Sequence, residues 1–236
     1  MRRYTVSGLA LIVGLLVFGF PIKGQSPQSP EILIVDLSKK APSNPYQTEY
    51  EKMLYPTVRI KALFSMGTGV VIDDYIITAA HVVGNSSTVT IELFHPDNVK
   101  LEASVVITDT GKDLALLKPA KPLLYSARLA PKDYTPYIFS PIWTVGCSLG
   151  LTPRPSSGII SVIEDTYWEV SSPVLPGNSG GPVYTLVPSN DGNASTYEVI
   201  GIAVWVRIYK DQLITTMAGI VPISEIYEFL GNVPTE

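Results

Sequence analysis

The stretch PGNSGGP, residues 176–182, is the segment around which the other motifs of this chain are arranged. It has neither helical nor strand periodicity, and glycines surround its serine. Such a segment is typical of a strained turn that presents a hydroxyl group. Ser179 is therefore the candidate nucleophile. Because a serine hydroxyl is a weak nucleophile at neutral pH, it needs a neighbouring base and donors for the oxyanion that forms.

Two histidines are available to supply that base. His81 lies near the end of the β-rich apolar run at 67–83, whereas His95 lies in a polar turn where we expect it to be exposed. Further along the chain, Asp113 opens an otherwise apolar strand. A buried carboxylate is costly unless a donor satisfies it, and a histidine N–H would do so. Asp109 is the alternative carboxylate.

Three short motifs occur in the order TAAH at 78–81, DLALL at 113–117 and GNSGGP at 177–182. They resemble the three signatures of trypsin-like serine proteases, and their order differs from that of subtilisins and α/β-hydrolases. The resemblance is greatest to the HtrA (Deg) branch. Three features carry it: a Gly-Thr-Gly run before an apolar strand, asparagine before the serine, and short spacings between the motifs. It covers roughly residues 58–230.

The resemblance implies a serine endopeptidase that works through a His-Asp-Ser triad and an acyl-enzyme. In that scheme Ser179 attacks a peptide carbonyl, His81 transfers the proton, and Asp113 orients and stabilises the imidazolium. The backbone N–H groups of Gly177 and Ser179 would form the oxyanion hole. The strand that would pair with the substrate main chain contains Ala203, Val204, Trp205 and Val206.

The same resemblance predicts which residue precedes the cleaved bond. Counting back from Ser179, the base of the first specificity pocket falls near Pro173 and Val174, where no acidic residue lies. An arginine or lysine side chain would there be a buried cation without a partner. We therefore expect a small or medium apolar residue (Ala, Val or Leu), with Val206 and the region of Gly219 narrowing the pocket.

Composition and spacing predict an all-β fold. Short runs rich in Val, Ile and Thr alternate with turn residues, and the chain contains 18 Gly and 20 Pro. Six such runs lie at about 57–118 and six more within 142–236. Together with the resemblance, they predict two six-stranded antiparallel β-barrels, the trypsin-like double barrel, joined by a proline-rich linker at 119–141. A short C-terminal helix at 224–230, N-capped by Ser224, is expected to pack on the second barrel.

The first 45 residues precede the predicted peptidase domain at 46–236. Residues 1–23 contain two arginines and then an apolar run, which resembles a secretory signal. An uncleaved membrane anchor is the alternative, because the apolar span lengthens if 6–22 are counted. Residues 24–45 read as a linker with a candidate strand at 32–35. Either alternative predicts export, to a secreted or periplasmic location or to a membrane.

Charge and metal-ligating residues exclude several function classes. A net charge of −4 gives no reason to expect nucleic acid as a partner. One cysteine and two unclustered histidines cannot supply a closed zinc site, so no metal or other cofactor is expected. The lone Cys147 also excludes an intrachain disulfide, and we expect it to be a buried, inert thiol.

Protein or peptide substrates are the expected partners. HtrA-like domains often assemble as homotrimers, and Phe64 is a candidate contact although no motif specifies it. Neutral Asn178 cannot pair with a newly freed N-terminus as the digestive enzymes do, so loop ordering or assembly is the expected control. No PDZ module is expected after Leu230. The alternative function is a catalytically silent peptide-binding domain on the same scaffold.

Overall fold

The computed structural model describes residues 47–94, 98–188 and 195–232. The predicted signal or anchor, the linker with its candidate strand at 32–35, and the turn around His95 lie outside the described residues. Within the described ranges, no helix is long and apolar enough to cross a membrane.

Six strands form the first barrel: β1 (Thr57–Lys61), β2 (Met66–Ile72), β3 (Tyr75–Thr78), β4 (Thr88–Leu93), β5 (Val99–Asp109) and β6 (Leu114–Pro119). All pairs are antiparallel, and the closed order is β1-β2-β3-β6-β5-β4. Val58 and Ile60, two residues apart on β1, have no exposed surface, as the period of a strand requires for an inward face. The barrel closes where Ile60 pairs with Ile91.

Six more strands form the second barrel: β7 (Pro141–Gly146), β8 (Arg154–Ile163), β9 (Trp168–Val170), β10 (Pro182–Val187), β11 (Thr196–Tyr209) and β12 (Gln212–Pro222). They are also antiparallel and closed, in the order β10-β11-β12-β9-β8-β7. The predicted all-β double barrel is therefore confirmed. The sequence predicts these last two strands at 197–206 and 215–221. β11 and β12 are longer, because they continue as a hairpin whose tip, residues 207–212, is exposed. An exposed hairpin has no buried face to impose an alternating pattern on its sequence.

The linker between the barrels contacts both of them. The N–H of Ala127 donates to the carbonyl of Val71 in the first barrel, at 2.9 Å. The N–H of Ala130 donates to the carbonyl of Val199 in the second, also at 2.9 Å. Both alanines are buried. The two barrels are thus held together by the main chain of the linker as well as by their own packing.

Helices close the two ends of the described domain. α1 (Gln47–Leu54) precedes β1, and its Met53 is buried. At the other end the C-terminal helix spans Ile223–Gly231, with Ile226 and Phe229 buried against the second barrel. The predicted N-cap at Ser224 is wrong. β12 runs into the helix without an intervening turn, so Pro222 occupies the N-cap position and the serine falls in the first turn.

Candidate active site

The three predicted triad residues lie on three connections at the junction of the barrels. His81 belongs to a one-turn helix, α2 (Ala80–Val83), shortly after β3. Asp113 ends the turn between β5 and β6, and Ser179 lies in the loop between β9 and β10. A Cβ atom on Gly180 would lie only 2.8 Å from the Ala79 nitrogen. The serine loop therefore packs against the segment that leads into the histidine.

Two hydrogen bonds join His81 to Asp113, and a third joins the preceding residue, Ala80, to the same aspartate. Nδ1 of His81 lies 2.7 Å from Oδ2 of Asp113, and the His81 backbone N–H donates to Oδ1 at 2.9 Å. The Ala80 N–H donates to the Asp113 carbonyl at 3.1 Å. Asp113 has a φ of 54°, in the left-handed region that few residues with a side chain adopt, although aspartate does so more often than most. The aspartate is thus fixed on both its backbone and its carboxylate, and the pairing through Nδ1 leaves Nε2 of the ring free to accept a proton.

Asp109, the alternative carboxylate, has a different role in the structure. Its Oδ1 accepts hydrogen bonds from the N–H groups of Gly111 and Lys112, at 2.9 and 3.0 Å. This arrangement is an Asx turn, in which a short carboxylate shapes the chain just after it. Asp109 therefore organises the turn, and Asp113 is the carboxylate that contacts His81.

Lys112 connects this turn to the C-terminal helix, α3 (Ile223–Gly231). Its Nζ contacts the carboxylate of Glu225 and lies 3.0 Å from Oε2 of Glu228. The hydrogen bond to Glu225 raises the pKa of Lys112, so the amine is charged at neutral pH. The residue beside Asp113 is thus tied to the second barrel's helix.

The loop that contains Ser179 is held by backbone hydrogen bonds. The carbonyl of Ser179 accepts from the Thr68 N–H at 2.8 Å, and the Gly180 N–H donates to the Ala203 carbonyl at 2.7 Å. Gly180 has a φ of 82°, and a Cβ there would overlap the carbonyl of Thr68 and the hydroxyl of Thr78. Only glycine fits at this position, because both the backbone conformation and the space exclude a side chain.

Two N–H groups in this loop are not used by the protein. The Pro176 carbonyl accepts from the Leu149 N–H at 2.7 Å, and the Gly177 carbonyl accepts from the Thr68 hydroxyl at 2.6 Å. Because C=O and N–H point in opposite directions across a trans peptide, the Gly177 N–H points away from Leu149. Among the described residues, neither the Gly177 N–H nor the Ser179 N–H has an acceptor. Unpaired backbone donors are uncommon, and these two are in the predicted oxyanion hole.

Asn178 lies between these two donors and is buried. Its side-chain oxygen accepts from the Ser148 hydroxyl at 2.6 Å, and its amide packs so closely on Gly146 that a Cβ there would lie 2.8 Å from Oδ1. A neutral amide suits this place because a carboxylate would need a cation beside it. Nearby Cys147 is free and buried, as predicted, and burial raises the pKa of its thiol to about 11.

The Ser179 hydroxyl makes no hydrogen bond to His81 or to any other described residue. Bonds between nucleophile and base are often long or misaligned without substrate and tighten when substrate binds. The structure therefore brings together His81 and Asp113 as a hydrogen-bonded pair. The serine loop lies beside this pair, but the hydrogen bond between Ser179 and His81 is not formed.

The predicted substrate strand is the part of β11 that extends past its partner β10. Both the N–H and the carbonyl of Ala203 are bound by the serine loop, at Gly181 and Gly180. Pairing with β10 ends at Ile202, so on that edge Val204, Trp205 and Val206 have no neighbouring strand among the described residues. Their other edge pairs with β12. An exposed strand edge of this kind can accept an extended peptide.

Apolar surfaces line the neighbourhood of this edge. Val174 is buried, and its N–H donates to the Thr215 carbonyl at 2.8 Å. The Trp205 ring lies over Gly219, where a Cβ would overlap it. A cleft of about 400 Å³ runs beside the strand, and its walls combine apolar residues of β11 and β12 with the charged Lys112, Asp113 and Glu225. The site therefore has an apolar side next to the triad.

Sequence analysis missed the residues that support the serine loop from the first barrel. Thr68 donates its hydroxyl to Gly177, accepts from the Cys147 N–H at 2.8 Å, and donates its own N–H to Ser179. It is fully buried. The sequence signal for this role was the Gly-Thr-Gly run itself. Its two glycines are packed too tightly for side chains, which indicates that other segments approach the strand closely at Thr68.

A closed double barrel with a His-Asp pair and a glycine-flanked serine at its junction defines the trypsin-like class. The comparisons agree, since residues 67–187 match the family model described as "Trypsin-like peptidase domain". The chain belongs to this family.

Curated relatives confirm the predicted resemblance to the HtrA (Deg) branch. One is the probable periplasmic serine endoprotease DegP-like of Halomonas elongata, which is 32% identical over 170 residues, 68% of this chain. Another is the periplasmic serine endoprotease DegP of Salmonella typhimurium, 30% identical over 141 residues, 52% of this chain. The chain spans about a third of the length of these relatives, 32% and 28% respectively.

Solved structures show the same fold. The serine endoprotease of Yersinia pestis superposes with a TM-score of 0.65 at 21% identity, covering 82% of this chain and 68% of the other. A Mycobacterium tuberculosis protein, solved as an inactive serine-to-alanine mutant, gives a TM-score of 0.63 at 20% identity and covers 82% and 97%.

Proposed function

We propose that this chain is a serine endopeptidase of the HtrA (Deg) type. Ser179 Oγ attacks a peptide carbonyl while His81 Nε2 takes its proton, and Asp113 holds the resulting imidazolium through Nδ1. The oxyanion is bound by the N–H groups of Gly177 and Ser179. His81 then protonates the leaving amine, and water hydrolyses the acyl-enzyme by the same proton transfers in reverse.

One observation carries this proposal: two backbone donors without acceptors flank the nucleophile, beside a bonded His-Asp pair. A structural loop would satisfy its own N–H groups, whereas an oxyanion hole must leave them free for substrate. The carbonyls that share peptide groups with these donors are themselves bound: the Pro176 carbonyl accepts from the Leu149 N–H and the Asn178 carbonyl accepts from the Gly181 N–H. Both donors are therefore oriented before any substrate arrives.

The proposed substrates are exposed or unfolded segments of other proteins. An extended chain would pair with the free edge at Val204, Trp205 and Val206, which requires main-chain access and little sequence specificity. The apolar surroundings of Val174 favour a small or medium apolar residue before the cleaved bond. Cleavage of a peptide library should therefore be richest after Ala, Val and Leu, and a profile dominated by Arg or Lys would contradict this specificity.

Export is part of the proposal. The relatives are named periplasmic enzymes, and the apolar N-terminal run at 8–20 has the composition of a signal or an anchor. Whether the run is cleaved distinguishes a secreted or periplasmic enzyme from one attached to a membrane. Mass spectrometry of the N-terminus of exported protein decides between these forms.

The proposal is tested on the full chain with a fluorophosphonate probe and unfolded casein, beside Ser179→Ala. We expect the wild-type chain to be labelled and to cleave casein, and the variant to do neither. Ser126→Ala is a matched control that should be labelled like the wild-type chain, because the Ser126 hydroxyl is bound within the protein, where it accepts from the Asp73 N–H and donates to the Ala127 carbonyl. Labelling that persists in Ser179→Ala would contradict the assignment of the nucleophile.

A second candidate function is supported by the missing contact between the Ser179 hydroxyl and His81. In a catalytically silent domain this gap would persist when a peptide binds, and the free edge of β11 would still hold extended chain. Binding of unfolded casein by the folded wild-type chain, with no labelling and no cleavage, would favour this function over the peptidase.

A further inference from the structure

A cluster of charges surrounds one buried carboxylate on the first barrel. Glu92 on β4 is 3% exposed, and its carboxylate is contacted by three cations, Arg59, Lys61 and Lys100. Burial by itself would raise the pKa of Glu92. The hydrogen bonds from the three cations outweigh burial and lower that pKa to about 2, so the carboxylate is ionised at any ordinary pH.

The three cations bind Glu92 from different environments. Lys61 and Lys100 reach Oε1 at 3.1 and 3.0 Å from the surface, where their side chains are 44% and 71% exposed. Arg59 is 15% exposed and binds Oε2 with two of its nitrogens, of which Nε lies at 2.6 Å. Two lysines already neutralise the carboxylate, so charge balance alone does not account for the buried arginine.

Arg59 uses its remaining nitrogen, Nη1, to donate to the carbonyl of Gly150. Gly150 belongs to the second barrel, in the tight turn Ser148–Gly150. A guanidinium suits this task because its donors are fixed in one plane and cannot rotate independently. The carboxylate of Glu92 therefore orients the Arg59 guanidinium so that Nη1 points at the Gly150 carbonyl.

The turn in its own right holds the oxyanion loop. Leu149, with a φ of 54°, donates its N–H to the Pro176 carbonyl at 2.7 Å. That carbonyl shares a peptide group with the Gly177 nitrogen, so fixing one end of the peptide fixes the other. A continuous path of hydrogen bonds thus runs from Glu92 through Arg59 and the turn to the Gly177 N–H.

We infer that Arg59, held by Glu92, is a positioning residue for the oxyanion hole. The inference rests on the proposed function, since it concerns the donor that would bind the oxyanion. The described contacts of Arg59 are with Glu92, Gly150 and the Phe94 ring, and none is with the triad. It keeps the turn at 148–150 in place, and the turn keeps the Gly177 N–H directed outward. Loss of the Arg59–Gly150 contact should slow acylation without weakening the binding that precedes it.

Arg59→Met and Lys61→Met form a matched pair of variants, because each removes one cation from Glu92 and only Arg59 reaches Gly150. Saturation kinetics of fluorophosphonate labelling give kinact and KI separately. For Arg59→Met we expect kinact to fall about 10- to 100-fold, somewhat less than the loss of a whole oxyanion donor, with KI within about threefold. Lys61→Met should stay within about twofold in both.

A purely structural role would lower the thermal midpoint and change kinact and KI together in both variants. Wild-type kinact in folded Arg59→Met, or equal losses in the two variants, would overturn the inference. If Arg59→Met does not fold, Glu92→Gln is the second variant. It keeps Arg59 in the protein but removes the negative charge that holds its guanidinium. That variant should label about 3- to 10-fold more slowly, and a wild-type rate would overturn the inference.

The two proposals fail differently. A folded wild-type chain that the probe does not label would overturn the peptidase and, with it, the role of Arg59. A labelled wild-type chain with unchanged Arg59→Met and Glu92→Gln variants overturns the role of Arg59 alone.

Discussion

The two barrels support their parts of the site by different means. The first barrel presents His81 and Asp113 as side chains that bind each other, and Asp109 and Lys112 secure the turn that contains Asp113. The second presents Ser179 on a loop whose bonds are almost all from the backbone. A side-chain pair depends on the chemistry of two residues, whereas a backbone loop depends on what is packed around it.

Much of what surrounds the serine loop comes from the other barrel. Thr68 on β2 binds both the Gly177 and the Ser179 carbonyls, and Arg59 on β1 binds the turn next to them. The nucleophile's loop is therefore completed only when the barrels are docked. This comparison predicts that substitutions will affect the two halves in different ways.

The largest expected effect on activity is at the His81–Asp113 pair of the first barrel. Asp113→Asn should retain the fold but lower kcat by about 10³- to 10⁴-fold, because an amide no longer stabilises the imidazolium or fixes the tautomer. Asp109→Asn is the matched control, since its Oδ1 can still accept from the two N–H groups of the turn. Steady-state kinetics with a peptide substrate measure both, and equal losses would contradict the assignment of Asp113.

On the backbone half, Gly180→Ala should destabilise the whole domain. The positive φ costs about 1–2 kcal/mol, and the overlap with Thr68 and Thr78 adds to it. Gly84 lies at φ 55° and ψ −129°, so an alanine there also carries a conformational cost, but nothing lies within 4 Å of its new Cβ and the overlap is absent. Urea unfolding should separate the variants by more than about 1 kcal/mol, and similar losses would show that packing around the loop is loose.

Thr68→Val tests the support that one barrel gives to the other. The valine keeps the shape but leaves the Gly177 carbonyl and the Cys147 N–H unpaired, a cost of about 1–3 kcal/mol for each buried group. We expect labelling to slow by about 10- to 100-fold, with Thr68→Ser restoring most of the rate. A Thr68→Ser variant as slow as Thr68→Val would mean that the methyl group, and not the hydroxyl, matters.

A smaller effect is expected at Lys112. Lys112→Met removes the tie to Glu225 and Glu228 but leaves the His81–Asp113 hydrogen bonds intact. We expect kcat to fall about three- to tenfold, and added salt should reduce the wild-type rate in the same direction. Lys118→Met, which removes an exposed lysine 4.0 Å from Asp74, should have no effect. Equal rates for the two variants would contradict a role for this tie.

The pH dependence of stability should distinguish the charged Glu92 cluster from the neutral Asn178. The pKa of Glu92 is lowered from 4.5 to about 2 in the folded protein, so its contribution to stability is complete above about pH 4.5 and is lost as the pH falls toward 2. Glu92→Gln should flatten that part of the stability curve, whereas Asn178 carries no titrating group. Unfolding free energies measured between pH 5 and 2 test this, and parallel curves for the two proteins would contradict it.

The sequence indicated the strands well wherever one face is buried. The runs at 75–78 and 88–93 predict two strands, and β3 and β4 have those bounds. β4 begins with period-two alternation, whereas β3 is a short, almost fully buried run next to turn residues. The exposed hairpin at Arg207–Gln212 and the start of the C-terminal helix were not predicted correctly. The hairpin has no buried face, and the helix begins directly from a strand, so neither carries a local signal.

For the site, the sequence by itself determined the residue types, their order and the glycines of the serine loop. It could do so because catalytic chemistry needs those side chains and a positive φ needs glycine. Only the tertiary structure decided that Asp113 and not Asp109 binds His81, that Thr68 and Arg59 hold the other barrel's loop, and which N–H groups remain unpaired. These contacts join segments far apart in the chain, and the direction of a peptide group depends on what packs against it.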